Sequence, residues 1–407
     1  MSPDRDLPGD RDRSDEAHLP HEAHLPHEAH LPHEAHLLAL ASLPMVGPAR
    51  LARLVAMGPP ARTWRRLVRA GRGEAASHRA IESVFPRPAD LAATWAAAAA
   101  TFDVAACWQR HRDAGVGLCA RSAPAWPAEA FADESVPPEL LLWRGDLDAL
   151  AGARVAVVGT RSCTRYGLDL AHELGVELAR SGVAVVSGLA AGIDAAVHRG
   201  VLDAGGAPPI AVVGSGPDVV YPRRNAGLWH QVVSDGLLVT EAPLGTRPEA
   251  WRFPQRNRII AALGDVVVVV ESHPRGGAVI TARHAMARGR TVLAMPGSLR
   301  SPASQGCHDL IADGVGVCRG TDDVLLALGM SPGARRRATE DRSPPGPLEQ
   351  QILDAVGWQP VTLDGVVGAT GLTLAEVVMA VDDLVSSRWL SRTGGWIQRV
   401  GRSHMPR

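Results

Sequence analysis

Six short β-branched runs, each followed by a stretch of helical spacing, constrain this chain more than any other feature. They read RVAVVG (154–159), VAVVSG (183–188), PIAVVG (209–214), LLVTE (237–241), DVVVVVE (265–271) and TVLAMPG (291–297). Strands this apolar along their whole length must be covered on both faces, and the intervening helices supply the cover. The pattern therefore predicts an α/β fold, a doubly wound and mainly parallel sheet.

In open sheets of this kind ligands sit outside the carboxyl ends of the strands, where loops expose backbone N–H groups and helix N-termini. Here those loops are loaded with arginine. GTRSCTRYG after the first strand carries Gly159, Arg161 and Arg165; SGLAAGIDAAVH after the second carries Gly188 and Gly192; GSGPDVVYPRRN after the third carries Arg223, Arg224 and Asn225. A dinucleotide fingerprint fails, because Arg161 and Val219 stand where glycines are required. The 42 basic residues include no lysine, which excludes a Walker A loop and Schiff-base chemistry. Glycine-rich loops with arginines on several of them suit a run of phosphates. With a formal net charge of −1 the chain must catch an anionic partner by a local patch.

The flanks differ. Residues 16–37 repeat EAHLPH, placing His18, His21, His24, His27, His30, His33 and His36 three apart; residues 1–36 are expected to be disordered, and a metal-binding ridge is the alternative. Residues 37–120 read as a helical unit of SAM or helix-hairpin-helix type, whose Pro44–Pro48 turn either presents N–H groups to a DNA phosphate or simply packs. The main α/β domain is expected over 121–330, a flexible linker over 331–347, and a winged-helix domain over 348–400. The five cysteines form no C-x-x-C pair, and no apolar run approaches a membrane span, so a cytoplasmic protein without metal, cofactor or membrane is expected.

The words GTRSCTRYG, VVSGLAAGIDAAVH, YPRRNAGL, TEAPLG, FPQRNRIIAAL, GGAVITARHAMARGRTVLAMPG and QGCHDLI, in that order over roughly 155–317, closely resemble the DNA-processing protein A (DprA/Smf) family. The resemblance implies an extended Rossmann-like fold that binds single-stranded DNA, dimerises and loads RecA during natural transformation, with no known catalytic step. It also implies interface roles for Arg161 and Arg223, for the second glycine loop with Asp194 and His198, and for Phe253, Pro254, Arg256, Asn257 and Arg258. Gly276, Gly277 and Thr281 of the GGAVIT element join the expected site. Departures from the family pattern fall at Ala191, at Arg275–Ala278 and at His308.

Two readings remain open for Arg256 and Arg258: contact with phosphate, or burial as the partner of a carboxylate such as Glu241 or Glu271. Two rival functions have weaker support. A phosphoribohydrolase-like enzyme would need a glutamate after its Pro-Gly loop, and none follows Pro296–Gly297; Asp194 and His198, four apart, have acid/base spacing, but an aspartate capping backbone N–H groups is the simpler role. A winged-helix regulator would need a basic recognition helix, whereas residues 373–385 carry Glu376, Asp382 and Asp383 and no arginine.

Overall fold

The computed structural model describes residues 31–85, 90–124, 126–134, 136–331, 344–357, 360–387 and 389–400. Most of the histidine repeat and most of the expected linker lie outside the described residues.

The N-terminal unit consists of α1 (His33–Ala41), α2 (Pro48–Ala56), α3 (Pro60–Gly71), α4 (Ala75–Val84), α5 (Leu91–Thr101) and α6 (Val104–Asp113). The end of the repeat departs from expectation: His33 to His36 form the first turn of α1, and His36 is buried. The adjoining leucines supply the cause. Leu37, Leu38 and Leu40 enter a core with Leu54, Trp64, Leu67 and Trp95, so the preceding turn is drawn into helix.

The sheet domain then runs β1 (Gly117–Ala120), β2 (Leu140–Gly145), β3 (Arg154–Val158), α7 (Arg165–Arg180), β4 (Ala184–Ser187), α8 (Ile193–Ala204), β5 (Pro209–Val212), α9 (Ala226–Asp235), β6 (Leu237–Thr240), α10 (Arg252–Leu263), β7 (Val266–Val269), α11 (Gly277–Met286), β8 (Thr291–Ala294), α12 (Gln305–Ala312), β9 (Gly316–Val317) and α13 (Thr321–Ala327). Strand order is β1-β2-β6-β5-β4-β3-β7-β8-β9; every neighbouring pair from β6 to β9 is parallel, and β1 and β2 are antiparallel additions at one edge. All six expected strands are present. The central residues of β3 and β7 alternate between the two faces, Ala156 and Val267 packing into one core, Val157 and Val268 into the other.

β1 and β2 did not stand out in the sequence, and they move the start of the sheet domain a few residues ahead of 121. Their outer face, with Ala120, Leu140 and Leu142, completes the core of the N-terminal helices. A further bond joins the two units: the N–H of Leu244 donates to Nε2 of the buried His111, whose Nδ1 bonds the Cys107 carbonyl. Burial holds this imidazole below its ordinary pKa, which keeps it neutral.

The C-terminal unit comprises α14 (Pro347–Val356), β10 (Val361–Thr362), α15 (Leu363–Thr370), α16 (Leu374–Ser386), β11 (Leu390–Thr393) and β12 (Trp396–Arg399), a three-helix bundle backed by a small antiparallel sheet in winged-helix order. α16 begins with a capping box between Thr373 and Glu376 and buries Val377, Ala380, Val381 and Leu384.

Candidate nucleic-acid interface

Four loops meet at the carboxyl ends of β3, β4, β5 and β6, and buried polar side chains lock them together. The loop after β3 is held by Glu271, just beyond β7: its carboxylate accepts from the Thr164 N–H at 2.8 Å and the Thr164 hydroxyl at 2.6 Å. Thr164 in turn caps α7 through the Gly167 N–H. The loop after β4 lies against that first loop. Gly192 has φ +82°, and a Cβ there would sit 2.4 Å from the Thr160 carbonyl, so only glycine allows the approach.

Arg256 is the centre of this frame. It is buried, and its Nη1 donates to the carbonyls of Gly188 and Val212, the ends of β4 and β5. A Cβ on Gly188 would fall 2.2 Å from its Nη2. The Asp194 carboxylate faces the guanidinium at 3.8 Å. Burial pushes the Asp194 carboxyl above its ordinary pKa, against Arg256 and the N–H groups of Ala190, Gly188 and Gly159. Burial likewise lowers Arg256, to about 10, opposed by Asp194. Asp194 thus ties together the N–H groups of the loops after β3 and β4 and not those of its own helix, whose N-cap is Gly192 without a side-chain cap.

The remaining frame residues act alike. Asn225 is buried and donates to the Leu189 carbonyl at 3.0 Å, fixing the β4 loop, in which Leu189 holds φ +53°. Asn257 donates to the Gly277 carbonyl at 3.1 Å, linking Arg256 to the start of α11. Arg258 resolves the question left open by the sequence: it pairs with Glu241 at 2.5 Å, both largely buried, and Glu241 is shifted upward by burial against the pull of Arg258. Thr281, expected at the interface, is buried and donates to the Gly277 carbonyl within α11. His308 bonds the Gly297 carbonyl at 3.1 Å.

What remains on the surface is a cationic and aromatic pocket. Arg161, Gly188, Ala190, Ala191, Ser215, Tyr221, Arg224, Phe253 and Arg256 are among its walls. The Arg161 guanidinium lies 5.0 Å from the centre of the Phe253 ring, and Tyr221 lies 5.3 Å from the same ring at 32°. Arg161, Arg223, Arg224 and Arg275 are exposed, and none of them takes part in an ion pair among the described residues. Arg165 is also exposed but pairs with Asp169 at 3.0 Å. Gly276 is the N-cap of α11 and Gly277 its first residue. Arg161, Arg224 and Arg256 come together around one pocket, whereas Asn225, Asn257, Arg258 and Thr281 are buried and bond to neighbouring loops and helices instead. Phe253 was expected at the site, whereas its tilted ring neighbour Tyr221 was missed as a site feature; an aromatic beside YPRR was the available signal.

A pocket lined by arginines at the strand ends of a doubly wound sheet marks a Rossmann-like α/β protein. Known proteins make this specific. The family profile described as DNA recombination-mediator protein A matches residues 118–329, and that of the DprA winged helix domain matches 336–384. A putative DNA processing protein DprA of Mycobacterium tuberculosis is 38% identical over 300 residues, spanning 68% of this chain and 75% of its own. Protein Smf of Escherichia coli is 35% identical over 288 residues, spanning 68% of this chain and 76% of its own. The X-ray structure of DNA processing protein A from Streptococcus pneumoniae superposes with a TM-score of 0.56 at 31% identity, covering 69% of this chain and 98% of that one. The chain belongs to the DNA recombination-mediator protein A (DprA) family of DNA-processing proteins.

Proposed function

We propose that this protein binds single-stranded DNA without sequence preference at the strand-end pocket, shields incoming strands and passes them to the RecA recombinase during DNA uptake, acting as a homodimer through its Rossmann-like domain. The observation that carries the reading is the joint presence of Arg161, Arg224, Tyr221 and Phe253 around one pocket. Sequence-tolerant single-strand sites combine cations that track the backbone with aromatic faces on which any base can stack. The buried frame holds these groups in place before the strand arrives, which lowers the ordering cost of binding. Transfer to RecA and dimerisation rest on family membership. A hydrolytic reading draws less support, because Asp194 and His198 are buried inside the frame rather than facing the pocket.

Fluorescence anisotropy with short single-stranded oligonucleotides over a salt series tests the proposal. Each lost phosphate contact lowers the slope of log affinity against log salt by about 0.7 for a single strand, so Arg161→Ala with Arg224→Ala is expected to lower it by about 1.4. A double variant with wild-type slope and affinity refutes the site.

A further inference from the structure

The pocket leaves the most cationic helix among the described residues unexplained. α3, PARTWRRLVRAG, holds four arginines and no carboxylate. Thr63, Trp64, Leu67 and Ala70 face the core of the N-terminal unit, while Arg62, Arg65, Arg66 and Arg69 occupy a single arc of roughly 100° on the opposite side. Arg72 follows, exposed, at the helix end. Packing explains the buried face only. On the outer face, Arg62 with Arg65 and Arg66, and Arg69 with Arg65 and Arg66, make four like-charged neighbours at i,i+3 or i,i+4, an arrangement that weakens a helix. The next acid along the chain, Glu74, accepts the Ser77 hydroxyl at 2.6 Å, and Glu82 lies 3.8 Å from His78. No ion pair among the described residues engages Arg62, Arg65 or Arg66. In a chain of net charge −1 this concentration of charge is local.

We propose that α3 is a second nucleic-acid surface, one that grips the phosphate backbone of duplex DNA. The difference from the strand-end pocket decides the occupant. That pocket pairs arginines with two aromatic rings, the requirement for unstacked bases. The outer face of α3 offers guanidinium groups alone, its one aromatic, Trp64, being 1% exposed. A surface of cations without stacking platforms contacts phosphate and leaves bases untouched, which suits a duplex whose bases are stacked inside. The helix is about 18 Å long, enough to meet several successive phosphates. A protein with both surfaces holds a junction where a single strand meets a duplex.

The test compares wild-type protein, an Arg62→Gln/Arg65→Gln/Arg66→Gln variant, and the corresponding triple lysine variant. Each is titrated by fluorescence anisotropy with a blunt duplex of about 20 base pairs and with a short single strand, from roughly 50 to 200 mM salt. The glutamine variant is expected to lose tenfold or more in duplex affinity at low salt, with its duplex slope lowered by about 2.7. Single-strand affinity stays within about twofold, the melting temperature is maintained, and the lysine variant keeps the wild-type slope because charge is preserved. Absence of duplex binding by wild type, or wild-type duplex affinity in the glutamine variant, overturns the inference and leaves the stripe to an acidic protein surface. An equal loss for single strand and duplex also overturns it, placing α3 on the single-strand path. Duplex binding without any single-strand binding would instead refute the proposed function while sustaining this inference.

Discussion

His198 gives the sharpest check on the buried frame. It lies on α8 one turn after Asp194, is 0% exposed, and neither ring nitrogen reaches a partner at hydrogen-bond distance and angle. Burial, reinforced by the nearby Arg256 charge, pushes its pKa down to about 3; the Ser187 main chain favours the charged ring but does not offset this. In the unfolded chain the ring titrates near 6.5. Below that value the unfolded state takes up a proton that the folded state refuses, so stability is lost as pH falls from about 6.5 toward 3. From these two values the loss attributable to His198 is about 1 kcal/mol at pH 6 and about 2 kcal/mol at pH 5, relative to pH 8. His198→Leu removes the titration and is expected to flatten the acid limb by these amounts. Urea denaturation of both proteins at pH 8, 7, 6 and 5 measures the difference, and taking the difference cancels the carboxylates and other histidines. Parallel loss of stability in the two proteins would refute a neutral, buried ring.

Gly188→Ala places a methyl group against the Arg256 guanidinium, which cannot retreat without releasing the ends of β4 and β5; calorimetry should show a loss of roughly 1–3 kcal/mol, together with weaker single-strand binding. Arg258→Met strands the Glu241 carboxylate and is expected to cost about 3–5 kcal/mol in chemical denaturation, largely restored by adding Glu241→Leu. Deleting residues 1–30 should leave the melting temperature unchanged, whereas extending the deletion through Leu40 removes three fully buried leucines and should unfold the helical unit. Removing residues 344–407 should leave single-strand affinity equal or slightly higher, because the outward face of α16 carries Asp382 and Asp383, and the wing residues Arg392 and Arg399 are paired with Asp382 and Asp354; a tenfold loss would contradict this.

The periodicity of the chain determined the parallel sheet, its six central strands and the winged-helix outline, because burial on two faces writes itself locally as unbroken β-branched runs. Motif words carried the family. The loop arginines were legible as cations and Arg161 as the one facing a ligand, but the place of Arg256 and Arg258 was left open between surface and frame. Only the packing of α10 beside β3, β4 and β5 sends Arg256 to the strand-end carbonyls and Arg258 to Glu241, while leaving Arg161 over Phe253. The edge strands β1 and β2 escaped notice for a related reason. Their apolar residues serve a second core built from distant helices, a demand that no local repeat expresses. Local pattern sets which elements form, and charge desolvation in the assembled fold decides which charged groups stay in water and which must find a partner.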